Sequence, residues 1–236
     1  SNALAEEITV FQQPTETTTG VTYRIGDVLS ETVLNLLDAF DNLAEDDSST
    51  QVTMKIVGGT GPARFVNSVD ATVDVVRATA SAGVVRFNDV RLVGKPGDSI
   101  RLAFEASGYQ TAYSSFIVLT HAQAASMSVT RGPIADLSGA ALTQQPVVAL
   151  FDRYGNAAAT DSATVVSASL YHGVGALLTS GTTARAVNGI VTFSGLTATG
   201  NPGEVNKLRF TSGSFSVDDQ VGFKVRKNAV TSLSYT

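Results

Sequence analysis

The chain has no cysteine and no tryptophan, and only two histidines and six prolines among its 236 residues. Without cysteine, no disulfide, thiolate zinc site or thiol nucleophile can form. Stability must come from buried surface, which a chain of this length can supply. Absence of cysteine does not argue against secretion, since large bacterial surface proteins commonly do without disulfides. A Ser–His–Asp triad would need His121, at an expected domain junction, or His172, after Tyr171 at the end of an expected strand. Neither stands in a nucleophile-elbow or helical zinc pattern, and both read as surface histidines. Lys/Arg blocks are missing and the formal net charge is −5, so the footprint of nucleic-acid binding is absent. The same acidity disfavours an anionic membrane surface. No apolar run approaches the roughly 20 residues of a membrane helix. There is no Asn-x-Ser/Thr sequon with a permitted middle residue. Ser1-Asn2-Ala3 reads as a remnant of tag removal and is left out of the fold reasoning.

What is present is a β pattern. In Ile100-Arg101-Leu102-Ala103-Phe104-Glu105 the apolar side chains alternate with charged ones, the period of a strand with one buried face. Val84–Phe87 and Ile190–Phe193 behave alike. Turn signals separate such runs: Gly58-Gly59, Lys95-Pro96-Gly97-Asp98, Asn188-Gly189 and Asn201-Pro202-Gly203. Asn188-Gly189 suits a two-residue hairpin. Between Asp27 and Asp47 the apolar spacing also admits a helical turn at Val28–Asn35, with a strand from Leu36 to Asp41.

A shift of 106 residues superimposes the sequence on itself. Gly83, Val85 and Phe87 land on Gly189, Val191 and Phe193. Pro96-Gly97 lands on Pro202-Gly203, and Leu102 and Phe104 on Leu208 and Phe210. Upstream, Phe40-Asp41 matches Phe151-Asp152, Gly20 matches Gly139 and Pro14 matches Pro133. The first copy then carries insertions between Gly20 and Phe40 and between Phe40 and Gly83. The end of the chain, Ser232-Leu233-Ser234-Tyr235, repeats the pattern of Ser126-Met127-Ser128-Val129. The expected organisation is residues 6–122, residues 123–228, and residues 229–236 as the opening strand of a third copy or a tail. The fold class is all-β: two tandem β-sandwich domains of about seven strands each. Short junctions near His121–Ala125 and Lys227–Ala229 favour a semi-rigid rod.

In the second copy, Asp152-x-x-Gly155-Asn156 ends an apolar strand and Gly189-x-x-x-Phe193-x-x-Leu196 follows. These motifs resemble the bacterial immunoglobulin-like repeats of large surface proteins, of the invasin and intimin type. The likeness runs from about Glu6 onward. In the first copy Gln13–Gly20 is similar to that family's opening strand and loop, whereas Asp41-Asn42-Leu43-Ala44-Glu45 departs from it by lacking the Gly-Asn pair. The resemblance implies immunoglobulin-like domains, an extracellular or cell-surface location, and neighbouring repeats of the same chain as partners. Asp152, Gly155 and Asn156 read as turn formers, since Asp caps backbone N–H groups and Gly and Asn tolerate positive φ.

No catalytic or cofactor-binding residue is assigned. Calcium is the one metal with a candidate: Asp41, Asp46 and Asp47 lie in an acidic stretch with Asp38, Asn42 and Glu45. Calcium takes six to eight oxygens, but the run lacks EF-hand spacing and reads first as a solvated acidic loop. Lys55 alternates away from Met54 and Ile56, so it reads as an outward lysine rather than a cross-linking one. Tyr109 and Tyr113 read as packing or edge-capping residues. The function expected is a non-catalytic spacer of a secreted or surface protein, monomeric and supporting adhesion. The alternatives are a binding module that reads a host protein or glycan through Tyr23–Leu36 and Gly58–Asp74, or accessory domains of a large extracellular enzyme.

Overall fold

The computed structural model describes residues 5–14, 21–59, 61–67, 71–173 and 176–227. Its strands fall into two units, Ser1–Ala122 and Gln123–Thr236. The segment 229–236, read as the start of a third copy, lies outside the described residues. No helix occurs among the described residues.

Unit 1 contains β1 (Ala5–Gln12), β2 (Val21–Arg24), β3 (Thr32–Asp38), β4 (Gln51–Gly58), β5 (Arg64–Val66) and β6 (Thr72–Val73). It continues with β7 (Val75–Thr79), β8 (Val84–Phe87), β9 (Arg91–Val93), β10 (Ser99–Glu105), β11 (Ala112–Tyr113) and β12 (Ile117–Thr120). One sheet runs β1-β3-β8 and the other β2-β12-β10-β4-β7. All neighbours on these paths are antiparallel except β2 and β12, which run parallel from Ile117↔Val21 to Thr120↔Arg24. A smaller ladder, β6-β5-β9, completes the unit.

Unit 2 contains β13 (Ala124–Arg131), β14 (Val147–Asp152), β15 (Val165–His172), β16 (Leu177–Ser180) and β17 (Thr183–Val187). It ends with β18 (Ile190–Thr192), β19 (Thr197–Thr199), β20 (Val205–Ser212), β21 (Phe215–Asp218) and β22 (Phe223–Lys224). The path β13-β14-β18-β17-β15-β20-β21 folds over at β17, whose first half pairs with β15 and second half with β18. The strand count exceeds seven per unit because short ladders such as β16-β19 break long connections into separate strands.

One sheet of each unit holds β1-β3-β8 or β13-β14-β18, and the other holds β4, β10 and β12 or β15, β20 and β22, the layout of an immunoglobulin-like sandwich. The core lies between them. Met127, Val148, Leu150 and Val191 of one sheet meet Val166, Ala168, Leu208 and Phe210 of the other. Phe193 tilts against Phe210 at 5.3 Å between ring centres, and Phe87 against Phe104 at 5.9 Å in unit 1. Each large buried side chain contributes about 1.5–3 kcal/mol.

The helical turn at Val28–Asn35 does not form. Thr32–Asp38 is a strand in which adjacent Val33 and Leu34 are both buried. Burial on both faces removes the alternation and leaves a spacing that mimics a helix.

The structure also corrects the match between copies. Ile8 pairs with Leu36 as Met127 pairs with Leu150, so Leu36 answers to Leu150 and Asp38 to Asp152. The Phe40–Phe151 match is three residues out of register: Phe40 is exposed in the turn, and Leu37 takes the place of Phe151. The N–H of Gly26 donates to Leu92 as that of Gly139 does to Ala198, so Gly26, rather than Gly20, answers to Gly139. Gly20 itself lies outside the described residues. Twelve positions separate Pro14 from Gly26 and six separate Pro133 from Gly139, which places the first insertion there. Arg64 pairs with Val93 as Leu177 pairs with Thr199, and Arg77 with Thr53 as Thr183 with Ser167. Thirteen positions separate Arg64 from Arg77 and six separate Leu177 from Thr183, so the second insertion is the β5–β6 segment.

Candidate functional site

The residues singled out in the sequence are mostly occupied in turns. Asp152 ends β14 and is buried. Its Oδ1 accepts the N–H groups of Tyr154 and Asn156, both at 2.9 Å, and its Oδ2 accepts Nδ2 of Asn156 at 3.0 Å. Gly155 supplies the positive φ of 84° that lets the chain curl around the carboxylate.

The same turn stands in unit 1, contrary to the departure expected there. Asp38 Oδ1 accepts the N–H groups of Phe40 and Asn42 at 2.9 and 3.0 Å. The backbone N–H of Asp38 donates to Asn42 at 2.8 Å, as that of Asp152 does to Asn156. Asn is retained as Asn42, and Asp41 takes the place of Gly155 with φ 62°. Asp is among the residues that tolerate the left-handed region. Asp41, a calcium candidate, is therefore a turn residue. Its neighbour Asp47 caps the following turn, accepting the N–H groups of Ser49 and Thr50 at 3.0 and 2.9 Å, while the Tyr109 hydroxyl donates to Oδ2 at 3.4 Å. Asp46 is exposed. Among the described residues, no group of three or more His, Cys, Asp or Glu side chains is placed to hold a metal ion, and Asp41, Asp46 and Asp47 do not converge. The linear crowding that suggested calcium comes from two consecutive turns, each with its own cap.

Asp161 repeats Asp47 in unit 2, accepting the N–H groups of Ala163 and Thr164 at 3.0 and 2.9 Å and the Thr164 hydroxyl at 2.6 Å. Burial pushes both carboxyls upward, but the Thr hydroxyl and backbone N–H bonds outweigh it, and each ends below the ordinary Asp value. The N–H groups of Asn42 and Phe40 lower Asp38 likewise. A carboxyl with a folded pKa below its unfolded value of about 3.9 stabilises the fold while ionised. That contribution is complete above the unfolded pKa and is lost as pH falls through the folded one. The melting temperature is thus expected to fall steeply only below about pH 4, and less steeply for unit 2 in Asp161→Asn. Thermal melts across about pH 2.5–7 check this, and an equal acid loss in the variant would refute it.

Lys55 faces outward and pairs with Glu105. His172 is exposed at the end of β15. Tyr113 lies on β11, with the Arg101 guanidinium 4.9 Å from its ring centre and 5.1 Å from that of Phe116. Sequence reasoning missed a shallow concavity on the outer face of β10-β4-β7, lined by Gln51, Thr53, Lys55, Arg77, Glu105 and Ser107. The available signal was Arg77, an exposed cation in the strand Val75-Val76-Arg77-Ala78-Thr79.

Comparison with known proteins adds no family. No family model matches the chain, and no curated protein does. Among solved structures, a β-glycosidase from Bacteroides vulgatus is 10% identical with a TM-score of 0.32, the match covering 93% of this chain and 24% of that one. A β-glucuronidase from Parabacteroides merdae is 13% identical with a TM-score of 0.28, over 89% of this chain and 23% of that one. The extracellular domains 3–5 of Drosophila OTK are 11% identical with a TM-score of 0.29, over 96% and 67%. The chain thus spans about a quarter of those glycosidases, and likenesses this distant carry no argument about activity. The class, two immunoglobulin-like β-sandwich units, rests on the ladders and cores described above.

Proposed function

We propose that the chain is a non-catalytic structural segment of a secreted or cell-surface multidomain protein, a spacer whose partners are neighbouring units of the same chain. The carrying observation is that both units repeat one scaffold in which the ordered carboxylates Asp38, Asp47, Asp152 and Asp161 are all committed to backbone N–H groups. A second feature suits a load-bearing role. In unit 1 the parallel β2 and β12 lie near opposite ends of the unit's sequence. Tension applied through those ends would load their hydrogen bonds together in shear rather than one at a time. In unit 2 the corresponding contact is the single bridge Leu137↔Arg226.

Single-molecule pulling tests the reading. Two unfolding events are expected, each releasing on the order of 35 nm for about 110 residues, with the higher force belonging to unit 1. Extension without resolved events would refute a load-bearing spacer.

A further inference from the structure

The concavity on unit 1 has a volume of about 400 Å³. Its lining follows from register. Thr53 on β4 pairs with Glu105 on one side and Arg77 on the other, so the three form one cross-strand row. Gln51 and Lys55 lie two positions either way along β4 and share that face. Lys55 pairs with Glu105, while the Arg77 guanidinium makes no ion pair or hydrogen bond among the described residues.

Unit 2 provides an internal control. There Ser167 pairs with Thr211 on one side and Thr183 on the other, the same row on the same fold. Lys55, Arg77 and Glu105 are replaced by Ser169, Thr183 and Thr211, and Gln51 by Val165. The sandwich forms in unit 2 with no charge at these positions, so the charges of unit 1 are not required by the fold.

We propose that this concavity binds a carboxylate-bearing sugar, of the hexuronic acid class. The planar guanidinium of Arg77 is matched to a carboxylate through two parallel hydrogen bonds. Glu105, held by Lys55, accepts ligand hydroxyls; Gln51, Thr53 and Ser107 both donate and accept. The volume suits one or two sugar rings. Among the described residues no aromatic side chain lines the depression, so they supply no platform on which neutral sugars stack, and the anion is the source of selectivity. This goes beyond the spacer reading, which stands or falls on the pulling experiment alone.

The test is an amide-resolved NMR titration of the full chain with galacturonic acid, glucose and sodium acetate. Galacturonic acid is expected to shift the amides around Thr53, Arg77 and Glu105 saturably, leaving those around Ser167 unmoved. Glucose and acetate are each expected to bind at least about tenfold more weakly, and Arg77→Gln to weaken galacturonic acid by about tenfold or more. Arg77 is exposed, so an unchanged melting temperature will show that the variant folds. The proposal is overturned by no saturable shift, by acetate matching galacturonic acid (an anion site only), by glucose matching it, or by undiminished binding in Arg77→Gln.

Discussion

Gly189→Ala is expected to cost unit 2 at least about 3 kcal/mol, a large share of the 5–15 kcal/mol that holds a typical domain together. Gly189 follows Asn188 in the β17–β18 turn with φ 76°, where an L-residue loses about 1–2 kcal/mol. Contact adds more. A Cβ there would stand 2.6 Å from the carbonyl oxygen of Ala158 and 2.9 Å from its carbon. Those are backbone atoms and cannot swing aside. They are tied on each side: Ala158 N–H donates to Leu150 at 2.9 Å, Leu150 N–H to Gly189 at 2.8 Å, and Gly189 N–H to Asp161 at 2.7 Å. Relieving the clash means breaking one of these bonds. Gly83 is held alike against Ala44 in unit 1, its added Cβ 2.8 Å from that carbonyl oxygen. Gly155→Ala is the control, since it has positive φ but nothing within 4 Å of the added atom, and is expected to lose only the conformational part. Urea unfolding, followed by unit-specific NMR signals, checks all three; equal losses for Gly189→Ala and Gly155→Ala would show that the close approach does not matter.

Asp152→Ala is the second large effect, at about 2–4 kcal/mol. Asp152 is 2% exposed, and its carboxylate accepts two backbone N–H groups and the Asn156 amide. Removing it leaves those donors with little access to water, and each unsatisfied buried group costs about 1–3 kcal/mol. Asp38→Ala removes the same turn bonds in unit 1, but its turn is exposed and water replaces the carboxylate, so a clearly smaller loss is expected. Asp152→Asn, which keeps an acceptor oxygen, should recover most of the loss. The same unfolding measurement decides, and equal costs for Asp152→Ala and Asp38→Ala would exclude burial as the cause.

The sandwich was legible because its core positions repeat: Phe87, Phe104, Phe193 and Phe210 sit where alternation and the 106-residue shift place them. The upstream register was not, because the pairs Phe40-Asp41 and Phe151-Asp152 outweighed the true marker, an Asp followed four residues later by Asn. That marker is visible in Asp38–Asn42 and Asp152–Asn156 once Gly is no longer demanded between them. The acidic crowding was open to two readings for a related reason: a linear run does not tell which carboxylates share a turn. The charged concavity was invisible because Glu105, Thr53 and Arg77 are neighbours only across strands, 52 and 24 positions apart in sequence.

The β5–β6 segment is where unit 1 is seven residues longer than unit 2, yet the strands on either side, β4 and β7, pair in the same register as β15 and β17. The chain has thus already performed an insertion experiment on itself. A peptide epitope grafted between Asn67 and Asp74 would lengthen a connection whose extra length the β4–β7 pairing already accommodates. Unit 1 thus differs from unit 2 there in the length of a connection and not in the pairing of the strands it joins.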